Sequence, residues 1–598
     1  TKFPSFSEQE DRNKIILSLI NLFEQNGDEW TDELPIYIDG DGNYAYTEDS
    51  EHDIEVMLGK DMLNLNRYAS ADDCMKALIE RYKLENYSKK DARAIASVCY
   101  QMRLNAFNTA NTYQFAEDVD DVTASYIKEK SSFYRGVEIE ITTYREYYDG
   151  TLAPHMIGMV GSIDAQEYKK LKEKGYGMND VVGKSGIELA MEDYLKGENG
   201  VKSVTVNSDG TTKVEYTKEV KNGDSIVLTL DADMQKIAQD ALKEKCDSIE
   251  SPVPHGGAVA VVNCKTGELL ACATYPSYDI TTYSDDYSSL LKDKRSPLWN
   301  RALQSVYAPG STSKPSTALA ALEEGVIDEN TVHDCHYKFR YLDMTFSCIA
   351  HHASSNINVK TALQDSCNIF FYKVSRDLGV EKLNTYRELL GLGQPTGIEL
   401  SERTGILDSP SYRTSLGQVW RPGFTLQSAI GQAGNLFTPL QLANYCATIA
   451  NGGTRYEVHM VKEIKSFDLS QTVLKKEPKV AVETGISEKN INIVKDGMRR
   501  VVTHSYTLRN GVGKVVDCAA KTGTSEVEHN VNGTKKVLTN GFFITFAPYD
   551  DPEIAIAVAI EGGKSGSSAS PVAKAIYEYY FKQKQEQTGV QETETLIG

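Results

Sequence analysis

Apolar and polar positions divide the chain into a helical first part and a later part that mixes strands and helices. In residues 70–108, Ala, Leu, Ile and Met recur at helical spacing, which predicts two or three helices. Val137–Thr143 alternates with period two, which predicts a strand. Val204–Val220 alternates on both sides of Ser208–Gly210, which predicts a hairpin. The polar segment Lys221–Asp224 then marks a domain boundary.

The chain beyond that boundary has the pattern of an α+β domain. The strands at its two ends are apolar enough to share one sheet, with helices packed on it. The predicted elements are the strand Ser225–Leu230, the helix Asp231–Cys246, the hairpin Gly257–Tyr275, a helix from Ser311, the strands Val515–Thr522, Gly541–Ala547 and Ile554–Ile560, and the helix Ser570–Phe581. Residues 583–598 are polar and are predicted to form a flexible tail.

Composition and charge exclude several classes of protein. A length of 598 residues indicates two to four domains, and a net charge of −20 without a basic stripe argues against nucleic-acid binding. The ten cysteines lack the dense spacing of a disulfide scaffold. No apolar run is long enough for a membrane helix. The chain begins at Thr1 and not at Met, so we expect a processed or truncated chain whose N-terminal anchor is missing.

A Ser-x-x-Lys pattern occurs at Ser125–Lys128, Ser289–Lys292 and Ser311–Lys314, and only its context separates the three. The first two are interpreted as surface helix pairs. The third follows the turn Ala308–Gly310 and opens an Ala- and Leu-rich helix. Unpaired N–H groups at a helix N-terminus stabilise an oxyanion, and a lysine three residues on lies beside the hydroxyl. We therefore predict Ser311 as nucleophile and Lys314 as its base.

A Ser-x-Asn pattern also occurs twice, at Ser354–Asn356 and Ser366–Asn368. The first lies in a polar loop, whereas the second precedes the apolar run Ile-Phe-Phe-Tyr, which would fix it against a core. The sequence therefore favours Ser366 as a proton relay and Asn368 as a hydrogen-bonding partner of a substrate amide.

Lys-Thr-Gly occurs at Lys265–Gly267, in a hairpin turn, and again in Lys521–Thr524, at the end of a strand. An edge strand binds an extended peptide through its backbone. We predict that Lys521, with the hydroxyls of Thr522 and Thr524, binds a terminal carboxylate. Gly523 would let the substrate approach the backbone closely.

The three motifs, in this order, resemble those of penicillin-binding proteins and class A β-lactamases. No glycosyltransferase-like domain precedes them, which points to class B penicillin-binding proteins. No appended C-terminal repeat module is evident, which favours the elongation-type penicillin-binding protein 2 branch. Further segments resemble the family's nucleophile helix, a characteristic transpeptidase region and the class B pedestal: Ala308–Leu322, Gly431–Asn435, Thr438–Leu442, Ala450–Gly453, His155–Gly161 and Gly183–Gly197.

The resemblance implies a fold and domain boundaries. Residues 1–224 would form a mixed α/β pedestal of the dimerisation type. Residues 225–582 would form the transpeptidase domain, an α+β fold with a central antiparallel sheet and helices on both faces.

The resemblance also implies a reaction. Ser311 would attack the penultimate D-Ala of a D-Ala-D-Ala stem peptide, with the backbone N–H groups of Ser311 and Thr524 as oxyanion hole. A neighbouring stem amine would resolve the acyl-enzyme, and β-lactams would acylate the same serine. Further implications are the extracytoplasmic face of the cell membrane as location, a lipid-linked precursor as substrate, and a SEDS-type glycosyltransferase as partner.

A Cys- and His-rich loop between Val332 and Asn358 departs from the family. Its thiols and imidazoles have the spacing of zinc ligands. They indicate a Zn(II) site that is structural and takes no part in catalysis. A disulfide between Cys335 and Cys348, free packed thiols and solvated histidines remain as alternatives. The predicted ligands are Cys335, Cys348, His351 and His352, with His336 or Asp334 as substitutes.

The sequence leaves three other functions open. A serine β-lactamase would need a deacylating base, but the sequence has no Glu-x-x-Leu-Asn segment. A β-lactam sensor or idle scaffold would not need Lys521 and Asn368. A D,D-carboxypeptidase differs only in using water as acceptor, and only the class B architecture argues against it.

Overall fold

The structure of the protein is a computed structural model. Its backbone contacts divide the chain into two compact units, with the boundary between residues 145 and 146. The structure describes residues 9–48, 50–107, 113–139, 144–178, 180–206, 212–350, 352, 354–531 and 533–594. Residues 146–224, which the sequence assigned to the first domain, lie in the second unit. No helix in these ranges is both long and apolar enough to cross a membrane.

The first unit is mainly helical. Its elements are α1 (Gln9–Asn26), β1 (Ile36–Ile38), β2 (Tyr44–Tyr46), α2 (Glu51–Leu58), α3 (Ala71–Tyr82), α4 (Lys89–Leu104) and α5 (Asp121–Glu129). Ser70 caps α3 and Ser88 caps α4, each accepting a bond from a backbone N–H of the first turn. The two helices confirm the helical pattern of residues 70–108. Residues 137–139 are not in a strand, and the rest of the predicted strand, residues 140–143, lies outside the described residues.

The second unit begins with short elements. They are α6 (Pro154–Ile157), β3 (Val160–Ser162), α7 (Ala165–Leu171), β4 (Val181–Gly183), α8 (Gly186–Ala190), α9 (Glu192–Leu195), β5 (Val201–Val206), β6 (Thr212–Lys218) and β7 (Ser225–Leu228). β5 and β6 pair antiparallel, as predicted, and their Ser208–Gly210 turn lies outside the described residues.

A five-stranded antiparallel sheet organises the rest of the unit. Its strands are β8 (Gly257–Asn263), β9 (Leu269–Tyr275), β18 (Ala519–Val531), β19 (Thr534–Ala547) and β20 (Ile554–Ile560). They lie side by side in the order β18-β19-β20-β8-β9. Helices between them in the chain are α10 (Ala232–Asp247), α11 (Tyr283–Lys292), α12 (Arg301–Gln304), α13 (Lys314–Glu323), α14 (Val359–Gln364), α15 (Asn368–Leu378), α16 (Val380–Leu389), α17 (Pro410–Ser415), α18 (Pro422–Ser428), α19 (Pro439–Ala450), α20 (Glu488–His504), α21 (Tyr506–Asn510) and α22 (Val512–Val515).

Shorter strands form small sheets around this core. They are β10 (His333–Asp334), β11 (Lys338–Tyr341), β12 (Met344–Ser347), β13 (Asn356–Ile357), β14 (Thr454–Tyr456), β15 (Val461–Lys465), β16 (Thr472–Lys475) and β17 (Val480–Glu483). β15 pairs with β7, which joins the early part of this unit to its later part.

Alternate residues of the central strands are buried on opposite faces of the sheet. Ala555, Ala557 and Ala559 of β20 belong to the core that contains α13, α15 and α19. Ile556 and Val558 belong to the core of α10 and the last helix, α23 (Ser570–Glu594). The sequences of such strands are continuous apolar runs, because helices cover both faces of the sheet. The predicted α+β domain with helices on both faces is therefore confirmed.

The last helix is longer than the sequence pattern indicates. α23 continues past Phe581 to Glu594, over most of the predicted tail. Its polar end, rich in Gln and Glu, has good helix formers but lacks the apolar spacing on which the prediction depended.

Candidate active site

Ser311 lies in a 3-10 turn, Gly310–Ser313, that leads into α13. Gly310 has a φ of +54°, and a Cβ there would lie 2.3 Å from the Thr524 carbonyl oxygen. Only glycine therefore lets this turn approach β18. The Gly310 N–H donates to the Gly431 oxygen at 3.0 Å, so the family-like segment Gly431–Asn435 fixes the turn from the other side.

The predicted helix starts three residues later than its pattern indicates. The Thr312 hydroxyl donates to the Pro309 oxygen at 2.7 Å, and the Ser313 hydroxyl donates to the Gly310 oxygen at 2.9 Å. These local bonds compete with the regular helix pattern and tighten the first turn. Ser311 is only partly buried, whereas the residues on either side of it are buried.

Lys314 is fully buried one turn after Ser311. Its Nζ donates to the Ser366 oxygen at 2.8 Å, to the Ser366 Oγ at 3.0 Å and to the Asn368 Oδ1 at 2.6 Å. Burial lowers the pKa of this amine to about 7. A neutral amine is therefore accessible near neutral pH, which is the state that a base requires.

Lys521 of β18 is the second fully buried lysine of the site. Its Nζ donates to the Ser366 Oγ and to the Thr522 carbonyl oxygen, both at 3.1 Å. Burial, and then the charge of Lys314, hold its pKa well below the usual value for lysine. The Ser366 hydroxyl thus lies between two amines and can pass a proton between them.

The backbone around Ser366 is held in an uncommon conformation. Ser366 has a φ of +57°, and its N–H bonds to the Leu363 oxygen at the end of α14. Cys367 then caps α15, whose Ile369 and Phe370 are buried in the core. The predicted anchoring of Ser-x-Asn by an apolar helix is confirmed.

The Lys521–Thr524 segment lies on the edge strand of the sheet. A Cβ on Gly523 would lie 2.7 Å from the Pro309 oxygen and from the Thr312 Cγ2. The glycine thus allows close packing of β18 against the turn of Ser311. The Gln432 side chain donates to the Thr524 oxygen at 3.4 Å. Sequence reasoning identified its segment only by resemblance and assigned it no role.

The other copies of the motifs lie elsewhere in the fold. Ser125 is exposed on α5, and the hydroxyl of Ser289, on α11, bonds to its own helix. Ser354 is exposed and bonds to the Asn356 N–H. Lys265 pairs with Asp551 at 2.6 Å in the β8–β9 turn.

The Cys- and His-rich loop places four potential ligands together. The thiols of Cys335, Cys348 and Cys367 and a ring nitrogen of His352 all lie within 4.8 Å of one another. His351 lies outside the described residues. His336 is 73% exposed and faces Asp334, so neither of the two predicted substitutes belongs to this group. Cys367 lies beyond the loop that ends at Asn358 and was not predicted as a ligand.

Hydrogen bonds orient this cluster. His352 Nε2 lies 3.6 Å from Cys348 Sγ, and its Nδ1 lies 3.4 Å from a carboxylate oxygen of Asp365. The Asn368 N–H donates to Cys348 Sγ at 3.3 Å, which ties the cluster to the active site. A hydrogen bond from Cys367 lowers the pKa of the Cys348 thiol to about 4. All ten cysteines are free, so the predicted alternative of a disulfide is not present.

Comparison with known proteins identifies the family. The family described as penicillin binding protein transpeptidase domain matches residues 257–578, and the penicillin-binding protein dimerisation domain matches residues 3–228. The peptidoglycan D,D-transpeptidase MrdA of Acinetobacter baumannii is 29% identical over 97% of this chain and 83% of its own length.

Two solved structures extend the likeness. A complex between PBP2 and MreC from Helicobacter pylori has a TM-score of 0.68 at 25% identity, covering 86% of this chain and 92% of that one. A structure described as a peptidoglycan synthase complex that coordinates polymerization and crosslinking has a TM-score of 0.65 at 28% identity, covering 80% and 84%. The chain therefore belongs to the penicillin-binding proteins, as a class B, elongation-type PBP2 with a serine-type transpeptidase domain.

Proposed function

We propose that Ser311 is the nucleophile of a peptidoglycan D,D-transpeptidase. The observation that carries this proposal is the buried series of groups from Lys314 through the Ser366 hydroxyl to Lys521, with contacts of 3.0 and 3.1 Å. Two buried lysines in mutual repulsion disfavour full protonation, so one of them is available as a base. Lysines that only form structural ion pairs would not need to be buried on either side of one hydroxyl group.

In the acylation step, neutral Lys314 takes the proton of Ser311, whose oxygen attacks the penultimate D-Ala carbonyl of a stem peptide. The N–H groups of Ser311 and Thr524 receive the oxyanion. Lys521 and the hydroxyls of Thr522 and Thr524 bind the terminal carboxylate, and Asn368 binds the peptide amide. Gly523 lets the donor peptide lie along β18 as an added strand.

Acylation is complete when the peptide C–N bond breaks and the proton that Lys314 took passes through Ser366 to the departing D-Ala amine. In the second step, the amine of a neighbouring stem peptide attacks the acyl-enzyme. The ester bond to Ser311 breaks, the proton of the attacking amine passes to the Ser311 oxygen, and the cross-link forms. A β-lactam enters the same path, but its ring-opened acyl group stays attached and blocks the acceptor. A carboxypeptidase would use the same first step with water as acceptor.

Intact-mass measurement after incubation with a penicillin tests the nucleophile. We expect one adduct per chain on the peptide that carries Ser311, with no adduct in Ser311→Ala. The matched control is Ser289→Ala, from the exposed Ser-x-x-Lys pair, which should label as the parent does. Penicillin consumption without a lasting adduct would instead indicate a β-lactamase.

A donor-peptide assay separates the remaining functions. A D-Ala-D-Ala stem peptide offered with an amine acceptor should yield both D-Ala and the coupled peptide. Release of D-Ala without coupling would indicate a carboxypeptidase. A stable penicillin adduct without any turnover of peptide would indicate a sensor or idle scaffold.

We also propose that the cluster of Cys335, Cys348, His352 and Cys367 binds a structural Zn(II). Zinc binds thiolate sulfur at about 2.3 Å and imidazole nitrogen at about 2.0 Å, so tetrahedral donors lie about 3.5 Å apart. The four ligand atoms lie within 4.8 Å of one another, so small side-chain movements would bring them to these tetrahedral distances. The Asp365 carboxylate on the far nitrogen of His352 is typical of a zinc-bound histidine.

Metal analysis of the purified protein tests this site. We expect about one zinc per chain by mass spectrometry and a lower melting temperature after chelation, because the metal links the loop to α15. Cys335→Ser should lose the metal, whereas Cys446→Ala, which removes a buried thiol of α19, should retain it. A protein purified and exposed to zinc that still contains none would overturn the assignment.

The proposal extends to location and partners. We infer that the enzyme acts at the extracytoplasmic face of the bacterial membrane on stem peptides of a lipid-linked precursor, beside a SEDS-type glycosyltransferase. The likeness to a peptidoglycan synthase complex at 28% identity supports this partner. Co-purification of the anchored chain with its glycosyltransferase, and faster glycan polymerisation in its presence, would be the expected results.

A further inference from the structure

The Cys/His cluster is joined to the catalytic groups by short contacts. Cys367 lies between Ser366 and Asn368 in the chain. The Asn368 N–H donates to Cys348 Sγ at 3.3 Å, and the Asn368 Oδ1 accepts from Lys314 at 2.6 Å. One residue thus contacts a thiol through its backbone and the catalytic base through its side chain. A movement of either sulfur displaces this residue.

The thiols of the cluster are close enough to react with one another. Cys348 and Cys367 share a hydrogen bond, and both lie within 4.8 Å of the other ligand atoms. A disulfide requires a sulfur–sulfur distance of about 2.05 Å. Oxidation therefore draws together Cys367, which precedes Asn368 in the chain, and Cys348, whose sulfur accepts from the Asn368 N–H.

The cluster lies beside an exposed stretch of its loop. Cys348 itself is 5% exposed, and its neighbour Ile349 is 87% exposed. All ten cysteines are buried, and seven of them lie outside the cluster: Cys74, Cys99, Cys246, Cys264, Cys272, Cys446 and Cys518. They provide an internal comparison for reactivity within the same chain.

We propose that a peroxide converts Cys348 and Cys367 into a disulfide and that this reversible modification switches off acylation of Ser311. The inference rests on the proposed roles of Lys314 and Asn368 in catalysis. Closure of the disulfide shifts the sulfur that accepts from the Asn368 N–H and turns the Asn368 side chain away from Lys314. The base then loses one of the three acceptors that position it.

The chemistry balances with hydrogen peroxide as oxidant. One thiolate attacks a peroxide oxygen, the O–O bond breaks, and a sulfenic acid and hydroxide form. The second thiolate displaces hydroxide from the sulfenic sulfur, and the S–S bond forms. Two electrons pass from sulfur to peroxide, and two hydroxide ions leave. Zinc bound by Cys335, Cys348, His352 and Cys367 would lose two of its four ligands in this reaction.

The test compares one protein before and after oxidation. The full chain, supplied with zinc, is treated with hydrogen peroxide, and three quantities are measured: zinc release with a colorimetric chelator, the disulfide by peptide mapping, and the acylation rate with a fluorescent penicillin. We expect a Cys348–Cys367 disulfide and an acylation rate lower by about 100-fold, the effect of a misplacement near 1 Å. A thiol reductant with added zinc should restore the rate.

Each other outcome decides against the proposal. A mapped disulfide with an unchanged acylation rate would show that the cluster and Ser311 are uncoupled. A slower rate with Cys348 and Cys367 still reduced would assign the effect to another group. Failure of the reduced protein to acylate at all would contradict the proposed function itself. Cys446→Ala should remain as sensitive to peroxide as the parent, and loss of its sensitivity would likewise overturn the assignment.

Discussion

The two Lys-Thr-Gly segments have the same three residues and opposite environments. Lys265 lies in the β8–β9 turn, where its half-exposed amine pairs with Asp551 and its pKa is raised by that bond. Lys521 lies on the edge strand β18, fully buried, where burial lowers its pKa. A motif therefore acquires its chemistry from the desolvation and the partners that the fold supplies, and not from its residue types alone.

Removal of each lysine in turn should give the largest contrast between the segments. Lys521→Ala removes a preorganised cation from the Ser366 hydroxyl, and we expect the second-order rate constant of acylation by penicillin to fall by about 10³-fold. Lys265→Ala should leave this rate constant unchanged. Stopped-flow measurement with a fluorescent penicillin decides the case. Equal losses in both variants would mean that the buried site has been wrongly assigned.

The two glycines should separate stability from activity. A Cβ on Gly523 meets the Pro309 oxygen at 2.7 Å, and one on Gly267 meets the Glu457 oxygen at 2.4 Å. Both alanine variants should therefore unfold more easily, by about 1–3 kcal/mol. Only Gly523→Ala should also slow acylation, by about 100-fold, because it displaces the turn of Ser311. Chemical denaturation with the acylation assay tests both expectations, and slow acylation in Gly267→Ala would contradict them.

The pH dependence of acylation should report the buried lysines and not the exposed one. Lys314 must be neutral to accept a proton, and burial lowers its pKa to about 7. Acylation should therefore rise with pH through this value and fall about tenfold for each unit below it. Lys265→Ala should have the same profile as the parent. A rate constant that does not change between about pH 5.5 and 8 would exclude Lys314 as the base.

The smallest effect concerns the ion pair of the first segment. Lys265 and Asp551 are both substantially exposed, and such pairs contribute about 0–1 kcal/mol. Lys265→Ala should lower the free energy of unfolding by no more than this amount, and high salt should weaken the difference. A loss of several kcal/mol in urea denaturation would mean that this turn has a structural role that its exposure does not indicate.

Much of the fold could be read from the sequence because apolar periodicity and burial agree in the central sheet. The hairpin Gly257–Tyr275 and the strand Ile554–Ile560 are confirmed, and the helix after the first strand is confirmed with bounds of Ala232–Asp247. By contrast, β18 begins at Ala519 and continues to Val531. In the outer half of β18, charged and polar residues interrupt the apolar ones, and the strand pairs only with β19 among the described strands. This half therefore has no apolar run from which a strand could be predicted.

The candidate active site could be predicted where the neighbouring residues distinguish one copy of a motif from another. The turn before Ser311 and the apolar helix after Asn368 selected the copies that the fold brings together. The 3-10 turn was not predictable, because it depends on contacts between Gly310 and β18. Cys367 was missed as a potential ligand because it lies far along the chain from Cys348, and only the fold brings them together.

The position of β18 at the sheet edge also affects self-association. Among the described strands β18 pairs only with β19, so the outer edge along which we propose that the peptide lies also offers its hydrogen-bonding groups to a second copy of the protein. Exposed Glu526 and Glu528 follow directly after the segment that faces the active site, and Lys535 and Lys536 lie on the partner strand. Charged side chains on a sheet edge oppose edge-to-edge aggregation, and here they lie just beyond Lys521–Thr524, so the strand resists unwanted pairing without covering the candidate site.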